Sequence, residues 1–211
     1  GRGLLNIMKL NQLIEEIKKR DDLKNVVHHE VIAPVAAGFG KTAAPLMPEV
    51  KDALSSLGIK DLYSHQTEGI DRVRQGKNVV IMTPTASGKS LIYNIPVLES
   101  LLADPESKAL YIFPLKGLEQ DQLKALKEFA ELLPIIDLHP AKVKKDFHIT
   151  PSVCEIYDGD TTAYRRKKIR ESPPPVVLTN PDMLHLAINP FHQKWERFFK
   201  DLKYVIIDEV H

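Results

Sequence analysis

Asn78-Val-Val-Ile-Met-Thr-Pro-Thr-Ala-Ser-Gly-Lys-Ser90 is the stretch whose reading decides the fold. Asn78 to Met82 is an apolar, β-branched run that predicts a short buried strand. A loop of small residues follows, and a helix is predicted over Lys89–Leu102. A loop that wraps phosphates must turn successive backbone N–H groups inward, which large side chains would block. The N-terminus of the next helix adds partial positive charge. Thr83, Pro84, Thr85, Ala86, Ser87, Gly88, Lys89 and Ser90 are therefore candidate nucleotide-binding residues. In such a loop the lysine, here Lys89, reaches the β- and γ-phosphates, and the Ser90 hydroxyl ligates Mg2+. The pattern departs from GxxxxGK[ST] at its first position, where Thr83 stands in place of glycine.

Downstream, the next landmark is Tyr204-Val-Ile-Ile-Asp208-Glu209-Val210-His211. Four apolar residues running into two carboxylates place both acids at the C-terminal end of a predicted strand, where parallel sheets bind ligands. In a nucleotide site the first acid, Asp208, holds Mg2+, and the second, Glu209, orients or deprotonates the attacking water. An Asp-Glu pair alone is commonly just solvated. Behind a buried strand and after a phosphate loop, it joins Lys89 as a candidate catalytic set.

The chain between and around these landmarks alternates. Helices are predicted over Pro48–Leu57, closed by Gly58, and over Ser64–Gln75, with Ser64 as N-cap and Gly76 as terminator. Then come strand Lys108–Phe113, helix Leu118–Leu132, an irregular Pro134–Pro151, strand Val153–Tyr157 and a basic helix Thr161–Glu171. Strand Val176–Thr179, helices near Pro181–Ile188 and Phe191–Leu202, and strand Tyr204–Ile207 complete the series. Five apolar strands separated by helices predict an α/β fold, a parallel sheet with helices on both faces. Upstream, Leu10, Leu13, Ile14 and Ile17 predict an amphipathic helix over Lys9–Arg20, and Asn25–Pro34 reads as extended. Ala36–Pro48 reads as linker. Its Gly38-Phe-Gly-Lys-Thr42 is no phosphate loop, because no strand precedes it and one residue separates its glycines. The expected organisation is residues 1–47 as an N-terminal helix and extended linker, and 48–211 as a nucleotide-binding domain.

Composition excludes little but is consistent. With 43% hydrophobic and 27% charged residues the chain reads as globular, and no window approaches a membrane span. One cysteine, Cys154, permits no internal disulfide and no zinc cluster. No membrane partner and a cytoplasmic, reducing setting are expected. The formal net charge of +1 gives no bulk argument for nucleic acid. Locally, Arg165, Arg166, Lys167 and Lys168 are a candidate phosphate surface. His28, His29 and Glu30 lack a third ligand at useful spacing and read as ordinary side chains. The aromatics of Phe191–Phe199 fall at helical spacing and read as core.

In their order these motifs resemble the superfamily-two DEAD/DEAH-box helicases, over roughly Leu57 to His211. Leu62-Tyr-Ser-His-Gln66 is similar to the Q-motif, which implies that Gln66 reads the adenine edge. Thr83–Ser90 is similar to motif I, Phe113-Pro-Leu-Lys116 onward to motif Ia, Thr179-Asn-Pro-Asp-Met183 to motif Ib, and Asp208–His211 to motif II. Tyr157-Asp-Gly-Asp-Thr161 sits where these helicases hold a nucleic-acid backbone. The wording is most similar to the YprA/MrfA-type branch of DNA-repair helicases, with Val210 and Gly117 departing from its usual alanines.

The resemblance implies a RecA-like P-loop NTPase domain, the first half of a helicase, using ATP and Mg2+. It implies nucleic-acid contacts at Pro114, Lys116, Gly159, Thr179, Asn180 and Pro181, with the Thr179 hydroxyl facing a strand's phosphates. His211 couples the nucleotide and nucleic-acid sides. Such contacts follow the backbone without reading bases. DNA is favoured over RNA as partner, and the chain is expected to be monomeric. Because it stops after motif II, hydrolysis and unwinding are expected to need a second RecA-like domain. A different P-loop enzyme, such as a kinase, and a module that binds without turnover are the alternatives. Gln66 and the Ia and Ib loops argue against the first.

Overall fold

The computed structural model describes residues 12–19, 28, 30, 36–83, 87–114, 116–134 and 152–208. The chain divides into two compact units, Gly1–Ala37 and Gly38–His211. In the first, a helix (α1) covers residues 12–19, within the predicted Lys9–Arg20 span, and Lys18 pairs with Glu15 at 2.8 Å. Of Asn25–Pro34, only His28 and Glu30 fall among the described residues. Pro134–Pro151, read as irregular, is described only at Pro134. Among the described residues no helix is long and apolar enough to cross a membrane.

The second unit is built on four parallel strands, β3 (Lys108–Ile112), β4 (Cys154–Ile156), β5 (Val176–Thr179) and β6 (Leu202–Ile207), in the order β4-β5-β3-β6. Ala109 to Ile112 align with Val176 to Thr179 on one side of β3 and with Tyr204 to Ile207 on the other. Every residue of β3 and β5 is buried, which is what continuous Val, Leu and Ile runs require. Side chains alternate across the sheet. Ala109 and Tyr111 join one apolar cluster with α2 (Pro48–Ser56), α3 (Ser64–Arg74), α4 (Ser90–Ala103) and α5 (Lys116–Glu131). Leu110 and Ile112 join the other, with Ile169 of α6 (Ala163–Glu171), Trp195, and Phe198 of α8 (Glu196–Lys200). Helices thus cover both faces, as the alternation predicted. Cys154 is fully buried in the first cluster, and burial pushes its thiol up to about 12, so it stays protonated.

Three local expectations change. Asn78–Met82 forms no strand: no described residue pairs with it, and Val80 and Met82 are 92% and 91% exposed. A β-branched run states that a strand would be favourable when covered, but the ladder has to come from a neighbour. The described sheet ends instead at β6, whose Val205 and Ile207 are more than half exposed. The linker reading also changes. Phe39–Gly40 (β1) pairs antiparallel with Leu62–Tyr63 (β2), so residues 38–47 belong to the second unit.

A Cβ on Gly40 would collide with Thr67 Oγ1, so glycine permits that close approach to α3. The rest of the segment is pinned by polar groups. Arg74 donates to both Glu99 carboxylate oxygens, at 2.6 and 3.0 Å, and to Ala44 O at 2.8 Å. Glu99 also accepts from Met47 N, and Asp71 from Ala43 N.

Ser64 is the first residue of α3, not its N-cap, which is Tyr63. The two helices expected between Pro181 and Leu202 are present, as a helical path broken by a kink at Phe191 (φ −117, ψ 29). It runs from α7 (Pro181–Met183) through a wide turn over Leu184–Ile188 and a tight one over Asn189–Trp195 into α8. Pro190 has no N–H to give to the carbonyl four residues back, so a uniform α ladder cannot pass it.

Two substitutions separate covered from uncovered apolar residues. Phe198→Ala, at a fully buried position, is expected to cost about 3–5 kcal/mol. Met82→Ser, in the exposed run, is expected to stay within about 0.5 kcal/mol. Urea denaturation midpoints of the two variants check both values.

Candidate nucleotide and nucleic-acid site

Because the four strands are parallel, their C-terminal ends open on one side of the sheet. Pro114 and the start of α5 follow β3, and Tyr157–Thr161 follows β4. Asn180 and Pro181 follow β5, and Asp208 follows β6. The parallel topology therefore brings together motif loops that are far apart in sequence.

The phosphate loop ends where expected. Thr83 Oγ1 and Ser87 Oγ share a hydrogen bond of 2.6 Å, and Lys89 Nζ donates to Thr83 O at 3.1 Å, so the lysine curls back over the loop. Gly88 has φ +74, a left-handed conformation in which a side chain is strained, and a Cβ there would strike Gln66 Nε2. α4 starts at Ser90, so the loop runs into a helix N-terminus of 14 residues. Pro84, Thr85 and Ala86 lie outside the described residues, as do Glu209, Val210 and His211.

Gln66 is 2% exposed, and its amide is already engaged. Its Oε1 accepts from Tyr63 N at 2.8 Å, capping α3, and its Nε2 donates to Gly88 O at 2.9 Å. His65 Nε2 donates to Ser87 O at 3.0 Å. The LYSHQ segment thus holds the phosphate loop from beneath. Beside it an aromatic ladder runs from Phe39 to Tyr63 (centroids 5.3 Å apart, 15° between planes) and on to His65 (5.7 Å, 10°). Phe39 is 59% exposed. Residues 36–48 carry no periodicity, so nothing in the sequence pointed to Phe39.

Asp208 is tied to the sheet through its backbone, which donates to Ile112 O at 3.1 Å. Its carboxylate Oδ2 accepts from the Tyr93 hydroxyl of α4 at 3.0 Å. Tyr93 is another residue that motif matching passed over; its one local signal is its position three residues after Ser90.

The loops read from the sequence as nucleic-acid contacts are built but not all exposed. Gly159 is exposed, its carbonyl accepting from Arg166 at 2.8 Å. Asp158 Oδ1 shapes that loop by accepting from Asp160 N, Thr161 N and the Thr161 hydroxyl. Pro114 and Pro181 are exposed. Asn180 Oδ1 accepts from Met183 N at 2.9 Å and starts the following helix. Thr179 corrects the sequence reading: it is fully buried and its hydroxyl donates to Tyr157 O at 2.8 Å. Burial on the sheet required an internal acceptor, so this side chain orients the Tyr157–Thr161 loop and does not face outward. The basic run is also partly committed. Arg165 pairs with Glu155 at 3.1 Å, Arg166 holds the Asp158 and Gly159 carbonyls, and Lys167 pairs with Glu171 at 3.6 Å.

A parallel sheet covered by helices on both faces, with a Gly88–Ser90 loop-to-helix junction and a carboxylate at the end of β6, is the frame of a RecA-like nucleotide-binding domain. A profile of the DEAD/DEAH box helicases matches residues 63–211, and the chain belongs to that family. It is 42% identical over 204 residues to the ATP-dependent helicase YprA of Bacillus subtilis (strain 168), covering 97% of this chain and 25% of that protein. It is 37% identical over 206 residues to the ATP-dependent helicase HRQ1 of Saccharomyces cerevisiae, covering 97% of this chain and 18% of that one. The crystal structure of helicase MrfA bound to DNA and AMPPNP superposes with a TM-score of 0.77 at 39% identity, over 93% of this chain and 25% of that chain. The chain thus spans a quarter or less of the length of these relatives.

The Gln66 clamp is made wholly of protein groups, so its removal has a cost that needs no ligand. Gln66→Ala leaves the Tyr63 N–H without its acceptor and the Gly88 carbonyl with Leu91 N alone. Thermal unfolding without nucleotide is expected to report a loss of about 1–3 kcal/mol.

Proposed function

We propose that this chain binds Mg-ATP at the 83–90 loop and the backbone of one nucleic-acid strand across the loops at Pro114–Lys116, Gly159 and Asn180–Pro181. The observation that carries the reading is the convergence of the Lys89 loop and Asp208, joined through Tyr93 of the helix that Ser90 begins. MrfA bound to DNA and AMPPNP supports the same pairing of ligands and favours DNA over RNA.

Each group has a role that its chemistry permits. Loop N–H groups and Lys89 take the phosphates. Ser90 and Asp208 are hard oxygen donors, two protein ligands of the kind that Mg2+ accepts while keeping water and phosphate oxygens for the rest. When bound, that ion neutralises charge developing on the transferred phosphoryl group. Glu209 orients or deprotonates the attacking water, and His211 couples the two sides. The base stacks on the exposed Phe39–Tyr63 face, beside Gln66, whose adenine contact would draw on the amide that now holds Gly88 O. Strand binding is carried by backbone N–H groups and Lys116, so it is indifferent to sequence and sensitive to salt. Hydrolysis and strand separation belong to the whole protein, in which a second RecA-like domain closes the site, in keeping with relatives about four to five times longer than the stretch matched.

Fluorescence titration with an N-methylanthraniloyl analogue of AMPPNP tests the reading. The chain is expected to bind it in Mg2+, with Lys89→Ala weakening binding at least tenfold. Phe39→Ala is expected to cost about tenfold, the scale of one base–aromatic stack. Equal binding by the Lys89→Ala variant would remove the phosphate-loop assignment.

A further inference from the structure

Tyr93 stands where two parts of the proposed machine meet. It lies one helical turn beyond Ser90, on the same face of α4. Its hydroxyl donates to Asp208 Oδ2 at 3.0 Å and lies 3.4 Å from Gln122 Oε1 of α5, with which it also makes a hydrogen bond. The ring is held edge-on against Tyr111, with centroids 5.5 Å apart and 89° between planes. Tyr111 is itself fixed: it is 1% exposed, its hydroxyl donates to Asn94 Oδ1 at 3.0 Å, and burial holds its phenol well above the ordinary range. The Tyr93 ring is therefore braced by a neighbour that cannot easily move.

We infer that Tyr93 is a positioning residue: its hydroxyl sets the rotamer of the Asp208 carboxylate for the metal and links it, through Gln122, to the helix that follows the Pro114–Lys116 loop. The inference rests on the reading of Asp208 as an Mg2+ ligand and goes one step beyond it. Asp208 is fixed at its backbone by Ile112 O, and a backbone bond does not by itself choose the side-chain rotamer. A donor to a carboxylate is among the stronger hydrogen bonds, and one aimed at Oδ2 favours a single rotamer.

The hydroxyl has one proton and two acceptors. The shorter contact, to Asp208, takes the larger share of it. A displacement of α5 that shortened the Gln122 contact would draw the proton away and loosen the carboxylate. α5 starts at Lys116, two residues after the exposed Pro114. A strand bound at that loop has, in this chain of contacts, a short path to the metal site.

The test is the Mg2+ dependence of nucleotide-analogue binding by the chain carrying Tyr93→Phe, which keeps the ring on Tyr111 and deletes only the hydroxyl. The Mg2+ concentration for half-maximal enhancement is expected to rise about tenfold, the lower range for losing an outer partner of a metal ligand. Affinity in EDTA should not change. Asp208→Asn should abolish the Mg2+ enhancement, and adding Tyr93→Phe to it should do nothing more. Gln122→Ala should shift the Mg2+ dependence less than Tyr93→Phe does. An unshifted Mg2+ dependence in Tyr93→Phe, with Lys89→Ala still defective, overturns this inference alone. Wild-type binding by Lys89→Ala overturns the nucleotide reading and this inference with it. A double variant worse than Asp208→Asn also overturns the inference, because Tyr93 would then act through something other than Asp208.

Discussion

The enclosure of β3 is the constraint on which the rest of the structure depends. Ala109 to Ile112 pair with β5 on one side and β6 on the other, and every side chain of the strand is buried between helices. Parallel pairing forces each strand to leave the sheet in the same direction, and each crossover to run back over a face. Residues separated by about a hundred positions, such as those at Pro114 and Asp208, are brought to one edge by that requirement alone. The site is therefore a consequence of sheet direction before it is a matter of particular side chains.

Around that frame, polar groups connect what the apolar core cannot. Gln66 spans Tyr63 N and Gly88 O, joining the start of α3 to the phosphate loop. Arg74 and Glu99, both largely buried, join α3 to α4 and hold the 43–47 segment on them. The same segment carries Phe39 and so aligns the aromatic face beside Gln66. Removing one partner of such a buried pair leaves a charge without compensation, which is why these few contacts set the geometry of the nucleotide side.

Much of this could be read from the chain before any coordinates. Val176–Thr179 came out residue for residue, because a continuous apolar run with clear breakers admits few alternatives. The same signal misled at Asn78–Met82, since periodicity reports the wish for burial and not the presence of a ladder partner. The segment 38–47 was illegible for another reason. It is held by Arg74, Glu99 and Asp71, tens of residues away in sequence, and long-range polar pins leave no local pattern. Of the candidate site, Lys89, Ser90 and Asp208 could be named from sequence because phosphate chemistry restricts which residues can serve. Thr179 was placed on the wrong side of the sheet surface: the motif names the residue but not the direction of its hydroxyl, which burial against Tyr157 O decides. Tyr93 was invisible because its role exists only after α4 and β6 meet.

The central claim is that one end of the sheet holds nucleotide at the loop before α4 and beside β6. Hydrogen–deuterium exchange of the chain with and without Mg-AMPPNP tests it most directly. Slowed exchange is predicted at residues 63–67, 87–92 and 204–208, with residues 157–161 unchanged until single-stranded DNA is added. Unchanged exchange at 87–92 and 204–208 under saturating Mg-AMPPNP would contradict the account.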